Sequence, residues 1–108
     1  DPNLEQSFGE INYAISMATI ECHFWMNNMF WDDDEWILNN IEPIKDIPTF
    51  IAHGRYDVDC RAIGAWELSK KLNNCELKFL VCGHSSGEPE IIDALVRATD
   101  KFKGIIEK

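Results

Sequence analysis

The sequence is short of positive charge. Ten Lys and Arg stand against nineteen Asp and Glu, giving a formal charge of -9 and a pI near 4.6. Nucleic acid and anionic membranes are bound through clustered Lys and Arg, so neither is expected as a partner. An acidic surface keeps a chain soluble and suits cationic substrates. No apolar run is long enough to span a membrane, and no signal-peptide pattern is present; the expected location is the cytoplasm. The four cysteines, Cys22, Cys60, Cys75 and Cys82, include no CxxC pair, which argues against a zinc site. Free thiols in a reducing compartment are expected, with Cys60 and Cys82 inside buried elements. Internal repeats and low-complexity stretches are also lacking.

What is present is ordinary globular material. Hydrophobic residues make up 45% and charged residues 27% of the 108, enough for one small domain with a modest core. The opening Asp1-Pro2, in place of Met, suggests a truncated or processed segment.

Residues 3 to 30 carry a helical pattern. Leu4, Phe8, Ile11, Ile15, Ala18, Cys22, Trp25 and Met29 recur at steps of three and four, one apolar stripe, with a break near Gly9. Glu21 falls on the edge of that stripe. It either snorkels to solvent or is a carboxylate held in a cleft for a cation. Trp31 to Glu35 (WDDDE) lacks the Gly turn and distant Glu of a calcium loop and reads as a solvated loop with helix-capping Asp residues. A short helix over Trp36 to Ile41 follows.

The apolar run Thr49 to His53 predicts a buried strand, with Gly54 letting the chain turn. A helix is expected over Arg61 to Leu72, a second strand over Glu76 to Cys82, and a last helix over Glu88 to Phe102. On this last helix Ile91, Leu95, Ala98 and Phe102 share a face, with Pro89 in the first turn. This is a βαβ unit with a covering helix. Two interior strands cannot be a whole sheet, because their outer edges would lie bare. The pattern alone therefore marks the chain as part of something larger.

In an open parallel sheet, ligands bind at the carboxyl ends of the strands. Asp57 follows the first strand and His84 the second, on loops from strands about 4.8 Å apart. Such a pair can act as the supporting acid and the base of a catalytic triad. The bland alternative is an Asp capping the next helix and a His closing a turn. Gly83-His84-Ser85-Ser86-Gly87 also matches G-x-S-x-G, the nucleophile elbow. A Ser85 nucleophile would need a later His in the order Ser…Asp…His, and none follows His84.

HGRYDVDC, then AWEL, then GHSSGEPEIIDALVRATDKF resembles the C-terminal third of prolyl aminopeptidases (proline iminopeptidases), which belong to the α/β-hydrolase fold. That family's pattern reads GRYDVVCP, SAWDL or SAWEL, GHSA-x-EP and LVRATD-x-F. ATIECHFW is similar to its cap-domain ARIENHYF, so the likeness runs from about Ala18 to Phe102. It implies an α/β fold in which residues 1–42 are the C-terminal part of a helical cap and residues 43–108 the last βαβα of the hydrolase core. It implies Asp57 as triad acid, His84 as triad base and Glu21 as receptor for the free amine of an N-terminal proline. The implied partner is a peptide with N-terminal proline, and no cofactor or metal is implied. The nucleophilic Ser and the rest of the fold are expected upstream of Asp1, so this segment alone should be inactive. Arg61, Asp59, Thr19 and Cys22 depart from the family pattern, where Pro, Val, Arg and Asn stand. The competing readings are an esterase or epoxide hydrolase on the same fold, and a non-catalytic relative acting as a binding protein.

Overall fold

The computed structural model describes residues 10–106. In chain order it contains helix α1 (Ile11–Met26), a 3-10 turn at Asn28–Phe30, helix α2 (Trp36–Asn39), strand β1 (Thr49–Gly54), helix α3 (Ala62–Lys71), strand β2 (Cys75–Leu80) and helix α4 (Pro89–Ile106). The order is the one expected, and the class is α/β with a two-stranded parallel sheet. The expected helical positions Leu4 and Phe8 and the break at Gly9 lie outside the described residues. Two units divide the chain, Asp1–Trp36 and Ile37–Lys108.

In the first unit α1 is held by its backbone ladder, without a side-chain cap at Glu10. At its end Asn27 Nδ2 donates to the His23 carbonyl at 2.7 Å, satisfying one of the carbonyls a helix terminus leaves open. Asn28, Met29 and Phe30 then all take left-handed φ values of 49°, 56° and 61°. That conformation costs an L-residue about 1–2 kcal/mol. The turn sends Phe30 back onto α1, edge-on to Phe24 at 5.4 Å and tilted against His23 at 5.4 Å. WDDDE is a loop, as expected: Asp33 Oδ1 accepts the Glu35 N–H at 2.9 Å ahead of α2. The apolar stripe of α1 is another matter. No residue of α1 is buried, and Ile11, Ile15 and Trp25 are exposed.

In the second unit β1 and β2 pair in register from Thr49 with Cys75 to Gly54 with Leu80. Both strands were expected to be fully buried, yet apart from Gly54 their residues are half-buried or exposed. The sheet has only two strands among the described residues, so each strand has one edge without a ladder partner. Helix α3 packs on both strands and α4 on β1. Ile41, Leu72, Cys82, Ile91, Ala94 and Ala98 are buried. The buried stripe of α4 is thus Ile91, Ala94 and Ala98, and Leu95, expected on it, is exposed. At the sheet's entry Asp46 accepts from Asn73 Nδ2 at 2.6 Å through Oδ1 and from Asn74 Nδ2 at 2.9 Å through its carbonyl. Lys101 of α4 pairs with Glu76 of β2 at 2.8 Å.

The exit ends of the strands are closer than sheet spacing alone requires. A Cβ on Gly54 would lie 1.8 Å from the Gly83 carbonyl oxygen and 2.8 Å from that of Cys82. Gly54 is therefore needed for close backbone approach. As expected the chain turns directly after it, through Arg55 and Tyr56 with the Asp57 N–H donating to Gly54 O at 3.3 Å, although no glycine among the described residues has positive φ. The approach lets the ladder continue past the strands: Arg55 N–H donates to Leu80 O at 2.7 Å and Tyr56 N–H to Cys82 O at 3.0 Å.

Gly54→Ala should therefore force the two loops apart and destabilise the protein by about 1–3 kcal/mol or more, the usual cost of overpacking. Gly64→Ala in α3, where an added Cβ meets nothing within 4 Å, should instead be neutral or stabilising by up to about 1 kcal/mol. Denaturant unfolding of the two variants checks the contrast.

Candidate active site

Asp57 sits in the turn that leaves β1. Its Oδ1 accepts the backbone N–H of Asp59 at 3.0 Å and of Cys60 at 2.8 Å. These bonds build the turn into α3, whose own N-terminus has no side-chain cap. The Asp57 side chain is only 6% exposed. His84 follows β2, and its loop is closed by Glu88. The Glu88 Oε1 accepts the Gly83 N–H at 2.8 Å, while the Glu88 N–H donates to Ser85 O at 3.1 Å.

The two loops bring Asp57 and His84 together. His84 Nδ1 lies 3.1 Å from Asp57 Oδ2 and 3.2 Å from Oδ1. An ionised carboxylate only accepts hydrogen bonds, so Nδ1 carries the proton and donates it to Asp57. Nε2 is then the ring nitrogen turned away from Asp57, on a side chain 55% exposed. Burial pushes the Asp57 carboxyl up, but the bonds from the Cys60 N–H, His84 and the Asp59 N–H outweigh it and hold the group below its ordinary value. The Asp57 hydrogen bond and charge hold the His84 imidazolium above its ordinary range; partial burial opposes this, and the Asp59 charge adds to it.

Two supporting residues were not picked out from the sequence as site residues. His53, on β1, donates from Nε2 to the Cys60 carbonyl at 3.0 Å and lies 3.9 Å from Asp57 Oδ2. A strand histidine facing its own exit loop has no sequence signature. Glu88 was read only as a helix start, although its place five residues after Gly83 suits a loop-closing carboxylate. Ser85, in the G-x-S-x-G match, spends its oxygen on the Gly87 N–H at 3.1 Å. It also lacks the left-handed backbone of Asn28, Met29 and Phe30. Cys60 was expected in a buried element but ends an exposed turn; all four cysteines are free. Burial pushes the Cys75 and Cys82 thiols up.

Glu21 lies on α1 in the other unit and is exposed. Donor atoms of Asp57, Cys60 and His84 fall within 4.8 Å of one another, a grouping that the Asp57–His84 hydrogen bond itself accounts for. A cleft of about 290 Å³ lies at the opposite, entry end of the sheet, among Pro48, Thr49, Asn73 and Phe102; ligands of parallel sheets bind at the exit end. Among the described residues no helix is long and apolar enough to cross a membrane.

Comparison with known proteins finds curated relatives of the segment. The chain is 43% identical over 103 residues to a probable proline iminopeptidase of Leptolyngbya boryana, a match covering 94% of this chain and 32% of the relative. It is 43% identical over 94 residues to a proline iminopeptidase of Xanthomonas citri, covering 86% of the chain and 30% of the relative. Over this segment the chain is similar to proline iminopeptidases. A proline iminopeptidase of Arabidopsis thaliana agrees, at 39% identity over 108 residues, with 97% of the chain and 28% of the relative covered. The chain thus spans a little under a third of the length of the curated relatives it matches. No family model matches it.

The pair sets a pH dependence whose sign follows from the two shifts. Asp57 is lowered from 3.8, so its contribution to stability is present above 3.8 and is lost as pH falls through its folded value. His84 is raised from 6.5, so its contribution is full below 6.5 and is lost as pH rises through its folded value. The stability difference between wild type and Asp57→Asn should peak between pH 3.8 and 6.5 and shrink on either side. Melting temperatures across pH measure it; a flat difference contradicts the pairing.

Proposed function

We propose that this segment supplies the acid and base of a serine aminopeptidase that releases N-terminal proline from peptides. The observation that carries the reading is the Asp57–His84 hydrogen bond across the exits of two adjacent parallel strands, in a segment related to proteins named proline iminopeptidases. Asp57 fixes the ring with its proton on Nδ1 and stabilises the imidazolium. Nε2 takes the proton of a seryl hydroxyl as it attacks the scissile carbonyl, then gives it to the departing amine. The Ser and its oxyanion donors belong to the remainder of the hydrolase chain, and without them this segment is inactive.

In this reading residues 1–42 are the last part of a helical cap and residues 43–108 the closing part of an α/β-hydrolase core. The exposed apolar residues of α1 and the open edges of the sheet suit a segment that packs against further chain. Glu21 receives the substrate's free amine; an exposed carboxylate on a helix becomes a strong amine receptor once the surrounding protein removes water from the pair. A requirement for a free amine is what separates an aminopeptidase from an esterase on the same fold.

The test is kinetic, on the full-length protein with a proline arylamide. Asp57→Asn should lower kcat about ten-thousand-fold, and His84→Ala at least as much. Glu21→Gln should lower kcat/KM for the free-amine substrate by about tenfold or more while sparing an N-blocked ester. Full turnover in Asp57→Asn would sink the triad reading. Equal loss on both substrates would remove Glu21 from the amine site, and good ester turnover indifferent to Glu21 would favour an esterase.

A further inference from the structure

The Asp57 turn delivers a second carboxylate to the same histidine. By accepting the Asp59 N–H, Asp57 fixes the direction in which residue 59 leaves the turn. The Asp59 side chain reaches the other edge of the imidazole, where its Oδ2 lies 3.5 Å from His84 Nε2. That is an ion-pair distance, longer than a well-made hydrogen bond. One short turn therefore places a carboxylate against each ring nitrogen, with Asp57 6% exposed and Asp59 76% exposed.

We propose that Asp59 is a positioning residue for His84, holding the ring by the nitrogen that Asp57 leaves free until a nucleophile hydroxyl and substrate claim it. This rests on the acid–base reading of Asp57 and His84. Nε2 is the nitrogen that must be unprotonated to act as a base. A carboxylate beside it favours the imidazolium, in which both ring N–H groups face an acceptor. Asp59 thus delays formation of the base as pH rises, and its exposure leaves it free to swing aside.

The other titratable groups around the pair have different positions. Cys60 belongs to the same turn, with Sγ in the same cluster. His53 approaches Asp57 from β1, at 3.9 Å. On His84's own loop, Glu88 is bound to the Gly83 N–H. Because Asp59 is exposed, 1 M salt, with a Debye length of about 3 Å, should screen much of its effect.

The experiment uses the full-length protein, a proline arylamide and an NMR pH titration of the His84 ring. In Asp59→Asn, both the acid limb of kcat/KM and the His84 titration should move to lower pH. The plateau kcat/KM should stay within about fivefold of wild type, and 1 M salt should narrow the gap between the two proteins. A limb or a ring titration that stays where wild type has it overturns the proposal. Asp57→Asn, run alongside, separates the two ideas: if it retains full turnover the acid–base reading fails, while the ring titration still decides whether Asp59 grips His84.

Discussion

The second unit depends on one close contact, the approach of the β1 exit to the β2 exit at Gly54 and Gly83. Parallel ladders hold strands at a fixed spacing, but the loops beyond them are free to splay. Here they do not, because position 54 carries no side chain and backbone amides of Arg55 and Tyr56 reach the carbonyls of Leu80 and Cys82. The contact turns two independent loops into a single surface. Asp57 and His84 are 27 positions apart in sequence and meet only because of it. A side chain at 54 would separate Asp57 from His84 without touching either.

On that surface the Asp57 carboxylate both organises its turn and meets the His84 ring. Oδ1 accepts the amides of residues 59 and 60, and His84 Nδ1 lies within hydrogen-bond distance of both oxygens, 3.2 Å from Oδ1 and 3.1 Å from Oδ2. The bland reading of an Asp that shapes the entry to a helix and the sharper reading of a triad acid are therefore compatible. The first makes the second possible, since a carboxylate anchored by two amides is fixed in place before any proton moves. The same anchoring explains why a largely buried carboxyl stays ionised: the donors around it outweigh the burial.

The sequence made the alternation of elements readable because each has its own period, and it made Asp57 and His84 readable because strand exits in parallel sheets face one side. Other features had no local signature. The grip of Glu88 on the Gly83 amide and of His53 on the Cys60 carbonyl depend on how loops fold back. Gly54 was marked for the turn that does follow it, but a pattern shows a glycine at a strand's end and not the carbonyl lying against it. Burial was over-read for the same kind of reason. Apolar runs report what a strand or helix is suited to touch, and α1 and the two strands are suited to more neighbours than the described residues provide. On α4 the buried residues are Ile91, Ala94 and Ala98, whereas helical spacing had put Leu95 on that face.

Anchoring Asp57 through one oxygen also determines how the site responds to a change of that residue. Asparagine at position 57 would keep a carbonyl oxygen able to accept from the amides of residues 59 and 60, so the turn would survive. Its amide nitrogen would replace one of the two oxygens facing His84 Nδ1 and set donor against donor there. A ring that satisfies that contact carries its proton on Nε2. Under the proposed acid–base role, loss of function would then come from the wrong tautomer on an intact loop. Alanine at the same position would remove the turn bonds as well and mix the two effects. Asparagine therefore tests the contact with His84 while keeping the turn bonds, and alanine does not.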